Sequence, residues 1–194
     1  MSSFIDNTLE YMKKEKNQLF LPRKTPKLNV KICNRPVLIV IRGHHYMDDL
    51  VKLKNFISKS HPVLIGVDGG ADGFAEINCI PDIVFGDMDS VSDDTLRKVK
   101  NIVVHGYWDG ICPGEERLKQ LDLEYEKYFC FGTSEDAAIL MTYFMGASFI
   151  VTVGSHNNII DFLEKNRKGM SSTILTRMLV GSKLIDAKGF FRLC

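Results

Sequence analysis

The chain has 194 residues, 45% hydrophobic and 25% charged, and its 25 basic residues nearly balance 24 acidic ones for a net charge of +1. That length suits one well-buried domain with an appendage, and the charge balance gives no electrostatic basis for a nucleic-acid partner. Five scattered cysteines (Cys33, Cys79, Cys112, Cys130, Cys194) contain no Cys-x-x-Cys pair, so they suggest neither a disulfide framework nor a zinc site and fit a reducing cytoplasm.

Residues 3–18 place Phe4, Ile5, Leu9 and Met12 at near-helical spacing, with Lys13, Lys14 and Lys16 late, where they suit the helix dipole. Pro22 and Pro26 interrupt the stretch that follows. Residues 1–33 therefore read as a helix and connector outside the main domain, which occupies 34–194. Such a helix needs a surface to cover, and a docking or homodimer contact is its expected use. The N-terminus is too polar for a secretory leader, and no apolar run approaches the ~20 residues that span a bilayer.

From Pro36 onward, continuous apolar runs recur at 37–41, 63–67, 83–85, 102–104, 128–131 and 149–153. Unbroken apolar character means burial on both faces, the mark of a parallel sheet between helices. Helices are predicted at 48–58, 93–98, 115–121 and 135–145, with one or two more between 160 and 179, and a last strand near 183–185. Strand and helix alternate, which predicts a three-layer α/β/α domain with a mainly parallel, Rossmann-like sheet.

In an open parallel sheet, ligands bind beyond the carboxyl ends of the strands. Arg42-Gly43-His44, Asp68-Gly69-Gly70, Gly86-Asp87-Met88-Asp89, Gly132-Thr133-Ser134-Glu135-Asp136 and Gly154-Ser155-His156 all fall there. Asp87 and Asp89 project the same way if the chain is still extended, with Cα atoms about 6–7 Å apart. Two such carboxylates repel, and a cation favours ionisation of both. Mg²⁺ suits oxygen ligands shared with substrate phosphates. Gly86 removes a side chain where a phosphate would approach. Ser90 or Ser92 is expected to cap a helix whose first turn holds Asp93 and Asp94, which leaves Asp87 and Asp89 for metal.

Gly69-Gly70 offers close backbone approach after a strand, although, taken alone, an ordinary strand-to-helix turn explains it better. Neither the G-x-G-x-x-G fingerprint nor a G-x-x-x-x-G-K-[ST] loop is present. Thr133 and Ser134 read as a helix cap and, with it, an anion site. His44 and His45 read as loop residues that could touch phosphate. Lys165, Arg167 and Lys168 read as solvated surface or as phosphate ligands, and the loop 106–114, with Trp108, as a lid or a surface turn.

Together the segments LIGVDGGADG, PDIVFGDMDSVSD, PGEERL, GTSEDAA and KGMSSTILTR resemble the catalytic domain of thiamine pyrophosphokinases, and more closely their SteA-like relatives linked to bacterial cell division. The resemblance covers nearly everything from residue 36. It implies an α/β domain that binds Mg-ATP; in thiamine pyrophosphokinases a diphosphate passes to the thiamine hydroxyl and AMP is released. By carry-over, Asp87 and Asp89 would hold magnesium, and Asp68 and Asp136 would serve catalysis. Arg42, Gly69, Gly70, Gly86, Thr133, Ser134 and Gly154 would line the nucleotide.

The departures fall on the acceptor side. Ile139 stands where a lysine is expected, and the Arg-x-Asp-His segment reads Ile159-Ile160-Asp161-Phe162. The C-terminal β-domain of those enzymes has no counterpart. The resemblance therefore implies a nucleotide-binding module with a regulatory or assembly role ahead of an active kinase. It also implies a cytoplasmic protein, held at the inner membrane face if this chain is a fragment of a longer, anchored one.

Overall fold

In the computed structural model, which describes residues 2–21 and 23–193, the six apolar runs form strands. Pro22 and Cys194 lie outside the described residues. The strands are β1 (Val37–Ile41), β2 (Val63–Val67), β3 (Ile83–Gly86), β4 (Ile102–Gly106), β5 (Glu126–Phe129) and β6 (Ile150–Val153), followed by β7 (Leu184–Asp186). Every neighbouring pair is parallel, in the order β5-β4-β3-β2-β1-β6-β7. The chain moves outward from β1 to β5 and then returns to the other side of β1. The direction of travel reverses between β1 and β6, which is where such sheets open a crevice.

The helices are α1 (Ser2–Glu15), α2 (Tyr46–Lys52), α3 (Lys54–Ser60), α4 (Asp93–Lys98), α5 (Glu115–Gln120), α6 (Ser134–Phe144), α7 (Ile159–Glu164) and α8 (Ser171–Val180). Alternate strand residues feed two faces. Ile39, Ile65, Ile83, Phe85 and Val103 pack under Ala138, Met141 and Leu175 of α6 and α8. Leu38, Val40, Leu64 and Val153 pack under Leu50 and Phe74, and Val84, Ile102 and Val104 under Leu96 and Leu118. The result is the expected three-layer α/β/α domain.

Three elements differ from the sequence reading. The helix expected at 48–58 breaks at Leu53, whose ψ of 2° leaves the helical region; Leu50 and Leu53, three residues apart on one face, both remain in the core. The strand expected at 128–131 lies earlier, because β5 is an edge strand registered on β4 through Val103↔Glu126 and His105↔Tyr128, so polar residues are tolerated on it. Finally, Gly69-Gly70, read as a turn, opens a ten-residue 3-10 helix, Asp68–Ile77. It lies hard on the sheet: a Cβ on Gly70 would fall 2.3 Å from the Val40 carbonyl oxygen.

The N-terminal segment rests on the sheet's helical layer. Phe4 and Thr8 are the buried residues of α1. The Thr8 hydroxyl accepts the Met170 amide at 3.2 Å, and Ser171 Oγ donates to Glu15 at 2.6 Å. Both partners lie at the start of α8. No helix among the described residues is long and apolar enough to cross a membrane.

Candidate functional site

A cleft of about 330 Å³ lies at the carboxyl edge of the sheet, over the β1/β6 reversal. Arg42 enters it from the end of β1, Asp68 and Gly69 from β2, and Asp87, Asp89 and Ser90 from β3; Thr133, Ser134 and Glu135 come from the start of α6. His156 follows β6, and Asp161, Phe162, Lys165 and Arg167 complete the wall from α7 and its sequel.

The acid-rich window now separates by role. Asp72 accepts from Ser92 Oγ and Thr95 Oγ1, both at 2.6 Å, and so pins α4 to the 3-10 helix. Asp82 accepts the Leu64 amide at 2.8 Å. Ser92 caps α4, as expected, by accepting from the Thr95 amide. In the first turn of α4, Asp93 pairs with Arg117 and Asp94 with Lys98. What remains is Asp68, Asp87 and Asp89, each with a carboxylate oxygen within 4.8 Å of the others. Asp68 thus joins the pair that the sequence reading assigned to metal.

The pair does not share a face because the strand continues. β3 ends at Gly86, and Met88 takes a left-handed φ of 63°. That turn drops the Met88 side chain into the core, fully buried, and leaves the acids on either side of it at the cleft. Asp89 donates its amide to Asp87 Oδ1 at 3.3 Å. Asp68, also left-handed at φ 47°, accepts the amides of Asp87 and Met88 on one oxygen at 2.8 and 3.2 Å. Gly69 donates to Ser90 Oγ at 3.0 Å. Left-handed non-glycine residues are uncommon and concentrate at functional sites.

The PGEERL segment explains how the turn is held. Arg117 donates to the carbonyl oxygens of Met88 and Val91 and to the Asp93 carboxylate. Gly114 lies so close that a Cβ there would fall 2.4 Å from the Asp87 carbonyl oxygen.

Electrostatically the trio is poised for a cation. Burial, and next to it the Asp87 charge, pushes the Asp68 carboxyl up to about 7. Asp87 is also raised, chiefly by burial. Three carboxylates this close hold a proton among them unless positive charge is supplied. The same cleft is lined by Arg42, Lys165 and Arg167, none of them ion-paired to an acid among the described residues. Burial lowers the Lys165 ammonium from its usual value.

Other candidates are placed elsewhere. Asp136 is buried behind the cleft wall, its Oδ2 accepting from Thr133 Oγ1 at 2.9 Å, Ser172 Oγ at 2.7 Å and Thr173 Oγ1 at 3.1 Å. With Thr133 it forms the capping box of α6. Burial, then the Glu135 charge, pushes it up to about 6. Gly70, Gly86 and Gly154 do not line the cleft. A Cβ on Gly86 would strike Asp68 Oδ1 at 1.8 Å, so this glycine makes room for the carboxylate and not for a phosphate. A Cβ on Gly154, at φ 67°, would fall 2.1 Å from the Ile41 carbonyl oxygen. His44 and His45 pair with Glu164 and Asp48 on the surface.

The sequence reading put Glu135 and His156 at the strand ends but gave them no role and did not join them. His156 Nδ1 lies 3.2 Å from Glu135 Oε2, and the His156 amide donates to the same oxygen at 3.1 Å. Glu135 Oε1 is buried without a hydrogen bond. Asp161, the acid left of the Arg-x-Asp-His comparison, accepts from Lys188 Nζ at 2.6 Å and from the Asn157 amide and Asn158 Nδ2. Burial works to raise it, but the Lys188 contact outweighs that and leaves it below the usual carboxylate range.

No protein-family model matches the chain, and no curated protein matches it. Among solved structures, it is similar to thiamine pyrophosphokinase from Bacillus subtilis, at 20% identity and a TM-score of 0.41, over 68% of this chain and 53% of that one. The chain thus spans about half the length of that enzyme.

Proposed function

We propose that the cleft binds a magnesium ion together with the polyphosphate of a nucleotide such as ATP. The observation that carries this reading is the meeting of opposite charge within one cavity: three converging carboxylates, and lining the same cleft Arg42, Lys165 and Arg167. A Mg-polyphosphate needs both, oxygen ligands for the ion and cations for the phosphate oxygens it leaves uncovered. Asp68, Asp87 and Asp89 would hold the ion, whose contribution is to neutralise phosphate charge. The start of α6 adds the Thr133–Ser134 edge as an anion-favouring helix end.

On this reading residues 34–194 form a Mg-nucleotide-binding domain of the SteA-like kind, cytoplasmic, with a regulatory or assembly role in cell division. Its support is the order of motifs from residue 36 onward, retained on the metal side and altered at Ile139 and Ile159 on the acceptor side. Ile5 and Leu9 on α1 are each about half exposed, at 51% and 54%, and suit the contact of a homodimer.

Calorimetry on the intact chain tests the reading. Mg-ATP binds the wild type, and removal of Mg²⁺ abolishes binding. Asp87→Ala and Asp89→Ala each weaken it by about 100-fold, the scale of losing a charge-assisted ligand. Equal binding by wild type and both variants, or none by any, overturns it.

One observation favours a second reading, diphosphate transfer to a hydroxyl acceptor with release of AMP. The Glu135 carboxylate fixes the His156 ring at the cleft, an arrangement able to take a hydroxyl proton. AMP release in an acceptor screen, lost in His156→Gln while Mg-ATP binding persists, is the expected result. No AMP above background with any acceptor rejects transfer to those compounds.

A further inference from the structure

A second cavity, about 600 Å³, opens beside the cleft and shares Thr133, Phe162 and Arg167 with it. Its character is different. Tyr107 and Trp108, in the loop after β4, each expose 40% of their surface, and with Phe131 they form its aromatic wall. Trp108 is held from behind, since the Arg23 guanidinium lies 6.0 Å from its ring and 5.9 Å from that of Phe131. Such cation–π contacts favour one ring position.

The facing wall is polar and comes from elements far away in sequence. Glu15 of α1 lines it, fixed by Ser171, and Asn166 and Lys168 border it. Asp109 adds a second carboxylate beside Trp108. Among the described residues this cavity has no converging acid trio to hold a metal ion, so the metal-bound polyphosphate belongs in the cleft. The carboxylates here accept hydrogen bonds from ring or exocyclic N–H groups. Flat aromatic faces, acceptors at the rim and a shared Arg167 at the threshold describe a receptor for a planar heterocycle attached to a phosphate chain.

We propose that this cavity takes the base of the nucleotide whose phosphates occupy the cleft, stacked on Trp108 and Tyr107 with its amino edge toward Glu15 and Asp109. The inference rests on the Mg-nucleotide reading and adds what that reading lacks, a place for the base. It also gives the N-terminal segment a share in the site, through Glu15 and through Arg23 behind Trp108.

Trp108 is the only tryptophan of the chain, so its emission reports on this cavity alone. Two probes separate base from phosphate on the intact protein: magnesium tripolyphosphate, which has no base, and Mg-ATP. Mg-ATP is expected to quench Trp108 emission and to bind at least about tenfold more tightly than magnesium tripolyphosphate, since stacking of one base on an aromatic ring contributes on that scale. Trp108→Ala brings Mg-ATP affinity, read by calorimetry, down toward that of tripolyphosphate and leaves tripolyphosphate affinity unchanged. Trp108→Tyr, which keeps a flat ring, restores most of the difference. Equal affinities for the two probes with Trp108 emission unmoved would show that the base lies elsewhere, and would leave the phosphate reading standing. Failure of tripolyphosphate to bind the wild type would remove the phosphate reading and this inference with it.

Discussion

Two regions at the carboxyl edge of the sheet carry acid next to a left-handed or capping turn, and they use it in opposite ways. At the ends of β2 and β3, Asp68, Asp87 and Asp89 converge with few donors around them: two amides on one Asp68 oxygen and one on Asp87. At the start of α6, the Asp136 carboxylate gathers three hydroxyls and the Thr133 amide on one oxygen. Both acids are raised by burial, Asp68 to about 7 and Asp136 to about 6. The difference lies in what surrounds the charge. A carboxylate enclosed by fixed hydroxyls is part of the scaffold, whereas one facing other carboxylates across open space asks for a cation.

The contrast can be broken first at Asp136. Asp136→Ala leaves the hydroxyls of Thr133, Ser172 and Thr173 without their acceptor and dissolves the capping box, at a cost of about 3–5 kcal/mol in urea unfolding near pH 4, where the contribution of the carboxyl is still present. Asp87→Ala, measured without metal, is expected to unfold at the same urea concentration as the wild type or a higher one, because it relieves repulsion within the trio. A large destabilisation at Asp87 would mean that the trio too is scaffold.

A second test uses pH. The folded value of Asp136, about 6, lies above the ordinary 3.8. Its favourable contribution is therefore fully present below pH 3.8 and is lost as pH rises through about 6. The loss approaches about 3 kcal/mol, because each tenfold difference in proton affinity between the folded and unfolded chain is worth ~1.4 kcal/mol. Asp136→Asn, which keeps an acceptor oxygen, should flatten the stability profile between pH 4 and 6 relative to wild type. An unchanged slope would place the titration elsewhere.

Smaller effects sharpen the picture at the glycines and caps. Gly154→Ala drives a methyl against the Ile41 carbonyl at a positive φ and should cost about 1–3 kcal/mol in thermal or urea unfolding. Ser92→Ala removes the cap of α4 and one partner of Asp72, for about 1 kcal/mol. Both act on the scaffold and leave the cations of the cleft in place.

Much of this was legible beforehand, and the reason is burial. Val37–Ile41 and Val63–Val67 are apolar without a break because both faces of the sheet are covered, so the strands and their parallel arrangement could be read directly. Ser92 and Thr133 announced their helices by cap chemistry alone. The edge strand β5 was misplaced because Glu126 and Lys127 are held by pairing with β4 and not by burial. The 3-10 helix at Asp68–Ile77 escaped notice because its glycines signal a turn, while the close approach of Gly70 to Val40 is visible only in three dimensions. Within the site, Asp87 and Asp89 were readable from spacing, although the turn at Met88 rather than an extended strand aligns them. Lys165 and Arg167 looked like ordinary solvated charge, and only the return of the chain across β1 brings them into the same cleft as the trio. His156 and Glu135 are 21 residues apart, and no local pattern joins them.

The wiring of the cleft has a mechanical consequence. Its acid trio and Arg42 belong to the first half of the chain, and Lys165 and Arg167 to the segment after α7, and among the described residues no ion pair links the trio to any of these cations. A polyphosphate seated there would act as a strap between them, so occupancy should slow amide exchange in residues 159–170 far more than in β1 or β2, which the sheet already protects.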